Sequence, residues 1–200
     1  MDGKIGVLAL QGDVSEHIAA FEQVIRERQV NIPVVEVRLP GDMEGLIALA
    51  IPGGESTTFM RLIDQNGLRE EIRNFSGGIF ATCAGMVVTA REVKDESRFA
   101  PLGIVNTVVN RNAFGRQRES FEADIPVAGI ASPFHAVFIR APVVELAGPD
   151  VEPLAVLPQG IVGLRSGKHL ILAFHPEIGG DLRLHHLFLD GILSLPRPGA

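Results

Sequence analysis

At 200 residues, 46% hydrophobic and 21% charged, the chain is too apolar to be disordered, and its length predicts one domain over residues 1–200 with a sizeable core. Eighteen basic residues against 24 acidic ones give a net charge of −6, which excludes a general nucleic-acid binder. The single cysteine, Cys83, excludes an internal disulfide and a cysteine-cluster zinc site, and it fits a reducing compartment.

In chain order, residues 5–10 read as a buried strand, an apolar run too short for a signal-peptide core. Gln11-Gly12-Asp13 breaks it, and Asp13 or Ser15 is placed to cap a helix in which Ile18, Phe21 and Ile25 recur at three- and four-residue steps. Residues 34–39 and 46–51 are further strands, the second stopped by Pro52-Gly53-Gly54. A helix follows from Ser56, with Phe59, Leu62 and Ile63 on one side, until Asn66-Gly67 interrupts it. Leu68, Ile72 and Phe75 mark a short helix, residues 79–82 a fourth strand, and Ala84 opens another helix. Such alternation with short connections implies a three-layer α/β fold, a mainly parallel sheet with helices on both faces. Residues 102–174 are rich in Val, Ile, Gly and Pro and add antiparallel strands, residues 170–174 form the last strong strand, and residues 181–195 form a terminal amphipathic helix. No run approaches the ~20 apolar residues of a membrane span, so the expectation is a soluble cytoplasmic protein with no membrane partner.

Three strand-to-loop junctions carry chemistry. Cys83 stands where a strand ends and a helix begins, in Ala81-Thr82-Cys83-Ala84-Gly85. Ligands of open α/β sheets bind beyond the carboxyl ends of the strands, and a sharp turn there lifts a side chain into the cleft. The free N–H groups of the helix start can receive the oxyanion formed when sulfur attacks a carbonyl. The competing reading is a buried, space-filling cysteine. His175 follows the last strand, and Pro176 keeps the segment extended, so that Glu177 points to the same side and can orient the imidazole. Of the other histidines, His17 lies on the first helix, His169 at a turn, His185 and His186 on the last helix, and His135 in Pro133-Phe134-His135-Ala136, where a role near the site stays open. Pro52-Gly53-Gly54-Glu55-Ser56 is either an anion-holding turn or a capped one with Ser56 as N-cap, and it lacks the lysine-plus-hydroxyl ending of a phosphate loop. Arg111, Arg116 and Arg118 crowd one stretch, able to grip a carboxylate or to lie solvated, and Arg140 ends an apolar strand, where a charge needs a partner.

Taken together, Val7-Leu8-Ala9-Leu10-Gln11-Gly12, Pro52-Gly53-Gly54-Glu55-Ser56-Thr57-Thr58, Thr82-Cys83-Ala84-Gly85, Arg111-Asn112-Ala113-Phe114-Gly115-Arg116-Gln117, Ser120-Phe121-Glu122-Ala123-Asp124, Phe138-Ile139-Arg140-Ala141-Pro142 and Phe174-His175-Pro176-Glu177 occur in order. This set resembles the glutaminase subunits of pyridoxal phosphate synthases, within the class I, triad-type glutamine amidotransferases, whose sheet is flavodoxin-like. The resemblance implies Cys83 as nucleophile, His175 as general acid and base, and Glu177 as its orienting carboxylate. It implies glutamine contacts from Gly54, Glu55, Ser56, Arg111, Ile139 and Arg140, and an oxyanion hole from backbone N–H groups near Gly54 and Ala84. It further implies hydrolysis of L-glutamine, transfer of the ammonia to a separate synthase subunit within a large hetero-oligomer, ordering of the site by that partner, and no metal or organic cofactor. Two departures from the pattern are Ala81, where the wider class often has glycine, and a long apolar run at 46–51. The rival readings are a glutaminase serving another pathway and a non-catalytic module of the same fold.

Overall fold

Residues 3–114 and 120–193 are described in the structure, a computed structural model. The first strand, β1 (Lys4–Leu8), leads into α1 (Val14–Glu27), β2 (Val34–Val37), a 3-10 turn at Pro40–Met43, and β3 (Leu46–Ile51). Then come α2 (Ser56–Gln65), α3 (Arg69–Arg73), β4 (Gly78–Thr82) and α4 (Ala84–Thr89). The second half runs β5 (Ala90–Val93), β6 (Val105–Asn110), β7 (Ser120–Ile125), β8 (Phe134–Ile139), β9 (Val143–Ala147), β10 (Val151–Leu157), β11 (Gly160–Ser166), β12 (His169–Leu172) and α5 (Arg183–Leu193).

The main sheet has the order β2-β1-β3-β4-β12-β11-β9-β6-β5, with β10 beside β11. Its first five strands are all parallel to one another. From β12 onward the pairings to β11, β9 and β6 are antiparallel, and β5 rejoins β6 in parallel. The sheet is therefore parallel where strand–helix alternation predicts it and mixed where the helices run out. A separate antiparallel hairpin, β7–β8, carries Phe121 stacked on Phe138 at 4.5 Å.

The central strand β4 is buried along its whole length, between β3 and β12. Its alternating side chains serve two faces. Phe80 meets Phe21 of α1 at 5.4 Å and Phe188 of α5 at 5.3 Å, whereas Ala81 points to the other face, towards Gly85 of α4. The helical stripe His17, Ala20, Phe21, Val24 and Ile25 is the buried side of α1, as its three- and four-residue spacing requires. Each fully buried phenylalanine of this layer contributes roughly 1.5–3 kcal/mol relative to exposure.

Register fixes the functional edge. Leu172 of β12 pairs with Thr82 of β4 in parallel, so both strands leave the sheet at the same end. The last strand stops at Leu172 rather than at residue 174, beside Thr82, the last residue of β4. Ala173 still donates to Val162 O of β11, but His175 donates to Val137 O of β8, which carries the chain over to the β7–β8 hairpin. The terminal helix starts at Arg183, with Asp181 accepting from its backbone N–H. Among the described residues, no helix is long and apolar enough to cross a membrane.

Candidate active site

Cys83 occupies the turn from β4 into α4 with φ 49° and ψ −107°, in the left-handed region that a non-glycine residue rarely enters. Strain of this kind is worth on the order of 1–3 kcal/mol and persists only where neighbours hold it. Here the Cys83 N–H donates to Leu172 O at 2.9 Å, and the helix begins at the next residue. The Sγ–H donates to the Ile139 carbonyl at 3.6 Å. The N–H of Ala84 is the first of α4, and first-turn N–H groups have no acceptor inside their own helix.

His175 and Glu177 are both buried, and the imidazole Nδ1 lies 2.7 Å from Glu177 Oε1. That leaves Nε2 for Cys83. Burial pushes the imidazole's pKa down, but hydrogen bonds to Cys83 and Glu177 outweigh it and carry the value up to about 10. Burial raises the Glu177 carboxyl from its ordinary value, against the bond from His175. Two further groups close around the pair. Asp13 Oδ2 approaches His175 Nδ1 at 3.3 Å, and His17 Nε2 lies 3.5 Å from Glu177 Oε1. Asp13, His175 and Glu177 thus bring one ligand-type atom each within 4.8 Å of the others. The Nδ1 they share already bonds Glu177, so the trio reads as a hydrogen-bonded array rather than a cation cage.

At the end of β3 the chain turns through Gly53 and Gly54. Gly54 has φ +132°, and the Gln11 side chain lies against it while donating to Glu55 O at 2.7 Å. A Cβ on Gly53 would lie 2.5 Å from His175 Cε1 and 3.4 Å from Asp13 Oδ2. Gly53→Ala is therefore expected to displace the imidazole and lower turnover about 10²-fold with the fold intact, as steady-state rates and thermal unfolding will show. The cap of α2 is Glu55, not Ser56. The longer carboxylate reaches the N–H groups of Thr57 and Thr58 at 3.0 and 2.7 Å, whereas Ser56 is the buried first residue of the helix. Burial pushes Glu55 up, but those N–H bonds prevail and hold it ionised, with a pKa of about 2.

Arg111 and Arg140 face one cavity of about 560 Å³, lined also by Lys94, Glu96, Arg98 and Asn110. Arg111 is bonded to Glu96, stands 3.4 Å from Glu55 Oε1, and has its guanidinium 5.8 Å from the Phe99 ring centre. Hydrogen bonds from Arg98, with the Arg98 and Arg111 charges, hold Glu96 at about 2 against its burial. Arg140 follows β8 at φ 47°, directly after Ile139, whose carbonyl meets Cys83.

Contacts link Cys83 to the Ile139 carbonyl and to His175, His175 to Glu177, and Glu55 to Arg111, while Arg140 lines the same cavity as Arg111; Gly54 and Ser56 flank Glu55, and Ala84 follows Cys83. Arg116 and Arg118 lie outside the described residues. His135 sits on the exposed face of β8 between Asp124 and Glu122, at 2.8 and 3.1 Å. His169 accepts the Ile79 N–H, and His186 lies against Glu27 and Arg28. His185 is wholly buried against Phe80 and, through burial first, is held neutral at a pKa of about 3. Reading along the sequence missed Gln11, His17 and Glu96 as site neighbours. It took Asp13 as a capping residue, although its side chain makes no cap bond and turns to His175 instead. The signal was the position of Asp13 just before α1 and of His17 in its first turn, both beyond a strand end.

Residues 7–194 match the SNO glutamine amidotransferase family. A protein of Methanospirillum hungatei called pyridoxal 5'-phosphate synthase subunit PdxT is 64% identical over 190 residues, 95% of this chain and 97% of that one. A protein of the same name from Methanosphaerula palustris is 61% identical over 193 residues, 96% of this chain and 98% of that one. A solved structure described as a glutamine amidotransferase superposes with a TM-score of 0.84 at 44% identity, covering 95% of this chain and 99% of the other. By family match, sequence identity and superposition alike, this chain belongs to the SNO glutamine amidotransferase family.

Proposed function

We propose that the chain hydrolyses the side-chain amide of L-glutamine to glutamate and ammonia, with Cys83, His175 and Glu177 as the reacting array. The observation that carries this reading is the convergence of Cys83, after β4, with His175 and Glu177, after β12, at one carboxyl edge. Cys83, its proton already held on His175 Nε2, attacks the amide carbon as the thiolate, and the N–H groups of Gly54 and Ala84 receive the oxyanion. His175 then gives that proton to the departing nitrogen, which leaves as ammonia, and a glutamyl thioester remains. Water loses a proton to His175, which keeps it, the hydroxide adds to the thioester carbonyl, and the tetrahedral species expels the Cys83 thiolate and leaves glutamate. Glu177 keeps the Nδ1 proton in place throughout. The steps use only side chains and backbone, with no cofactor.

Charge assigns the rest of the substrate. Arg111 and Arg140 suit the α-carboxylate, ionised Glu55 suits the α-ammonium group, and Ser56 and the Ile139 backbone complete the contacts. Because Glu96 holds Arg111, Glu96→Gln is expected to raise the glutamine KM about tenfold with kcat little changed, as steady-state kinetics will report. Residues 1–200 act as one glutaminase domain, in a cytoplasm that keeps the thiol reduced. The names of the relatives support a pyridoxal phosphate synthase subunit as the ammonia acceptor, within a hetero-oligomer. The test is trapping with a diazo-ketone analogue of glutamine followed by mass mapping, together with ammonia release assayed with and without the synthase subunit. Modification at Cys83 and release stimulated by that subunit are expected. A label elsewhere overturns the mechanism, and stimulation only by an unrelated synthase overturns the pathway.

A further inference from the structure

His17 is a completely buried polar side chain that the hydrolytic steps do not use. Its Nε2 lies 3.1 Å from Thr82 Oγ1, next to the nucleophile in sequence, and 3.5 Å from Glu177 Oε1, while its Nδ1 has no partner. Burial, with the nearby His185 and His175, lowers its pKa well below the ordinary value, so the ring is neutral and carries one proton. A buried N–H left without an acceptor is rarer and costlier than an idle lone pair. The proton therefore belongs on Nε2, where two oxygens await it. Glu177 is short of donors: its Oε2 is buried without a partner, so its charge rests on Oε1, which His175 Nδ1 meets at 2.7 Å and His17 Nε2 approaches at 3.5 Å.

We propose that His17 is a positioning residue of the hydrolytic site, its Nε2–H shared between Thr82 and Glu177 so that the carboxylate orienting His175 stays ionised and in place. The inference rests on the reading of Glu177 given above. Groups facing the array from each packed element are Asp13 before α1, Cys83 after β4, His175 after β12 and His185 from α5. None of them offers Glu177 Oε1 a neutral, permanently held donor. Removing that donor destabilises the anion, so protonation of Glu177 becomes easier and its titration moves to higher pH.

The test reads ionisation on the whole chain, independently of glutamine. In protein labelled with ¹⁵N-histidine and ¹³C-carboxyl glutamate, His17 is expected to be neutral with its proton on Nε2 from about pH 5 to 9. His17→Leu is expected to raise the Glu177 midpoint by about one pH unit, and His17→Gln, whose amide places a donor near the former Nε2, to restore most of it. Thr82→Val, which leaves the donor to Glu177 alone, is expected to shift the midpoint the opposite way. With the synthase partner present, His17→Leu is expected to lose about tenfold in kcat on the acid side with KM unchanged. A proton on Nδ1, an imidazolium in this range, no shift in a folded Leu variant, or equal shifts in the Leu and Gln variants overturns the proposal. Should the Leu variant not fold, the tautomer of the unaltered protein and Thr82→Val still decide it. Failure of glutamine hydrolysis itself would leave these ionisation results untouched, so the two readings fail separately.

Discussion

Cys83→Ala is expected to lower glutamine hydrolysis by about 10⁴–10⁶-fold while glutamine still binds. The residual rate would come from the oxyanion donors and from positioning, since the alanine has no electron pair to give. The substitution removes one atom at a turn already held at φ 49°, and alanine suffers the same left-handed conformation, so the unfolding temperature should change little. The decisive measurement supplies ammonium salt in place of glutamine to the variant together with the synthase subunit. Product formation is expected to return with ammonium and to stay absent with glutamine. Hydrolysis within about tenfold of the unaltered protein would remove sulfur from the mechanism.

Glu177→Gln is expected to lower kcat about 10³–10⁴-fold with a small change in KM, because an amide of the same shape cannot hold the imidazolium. The sign of the pH effect follows from the raised His175 value of about 10. Part of that elevation comes from the Glu177 carboxylate at 2.7 Å, so the His175 titration should move down towards the ordinary value. Titration of the labelled imidazole in the unaltered chain and the variant checks this directly. An unchanged midpoint, or full activity across the pH range, would strip Glu177 of its role. A folded variant is expected, since removing a buried carboxyl with one unpartnered oxygen removes a desolvation cost as well as a bond.

The order of elements through the first four strands was legible because each apolar run ends at a breaker and each helix carries its stripe. Residues 46–51 became a strand of those bounds, and the helix from Ser56 stopped at Asn66-Gly67. The antiparallel half was legible only as a tendency, since Val- and Gly-rich runs do not say which neighbour they take. The pairing of β12 with β4, rather than with a nearer segment, is a long-range choice, made when Leu170 and Leu172 complete the face beside Phe80 and Thr82. The site divides in the same way. Cys83 was readable because it stands at a strand-to-helix junction, and His175 and Glu177 because Pro176 between them constrains the step after the last strand. Glu96 was not, because nothing local separates it from its charged neighbours Asp95 and Arg98; only folding brings it to Arg111. His17 looked like any histidine on a helix, and Asp13 like any cap.

By itself the sequence determined the alternation of elements, the strand-to-helix junction at Cys83 and the extended His175-Pro176-Glu177 step, for these follow from local sterics and from hydrophobic spacing over a few residues, whereas the positive φ of Cys83 is held by its bond to Leu172 of a distant strand. Only the tertiary structure decided that α1 delivers His17 behind Glu177, that Glu55 rather than Ser56 caps α2, and that Arg111 arrives already held by Glu96. Those outcomes depend on which distant surfaces bury one another. A buried donor or charge takes its partner from whatever the packed neighbour supplies, and neighbours in space are set by the whole sheet rather than by residues near in the chain.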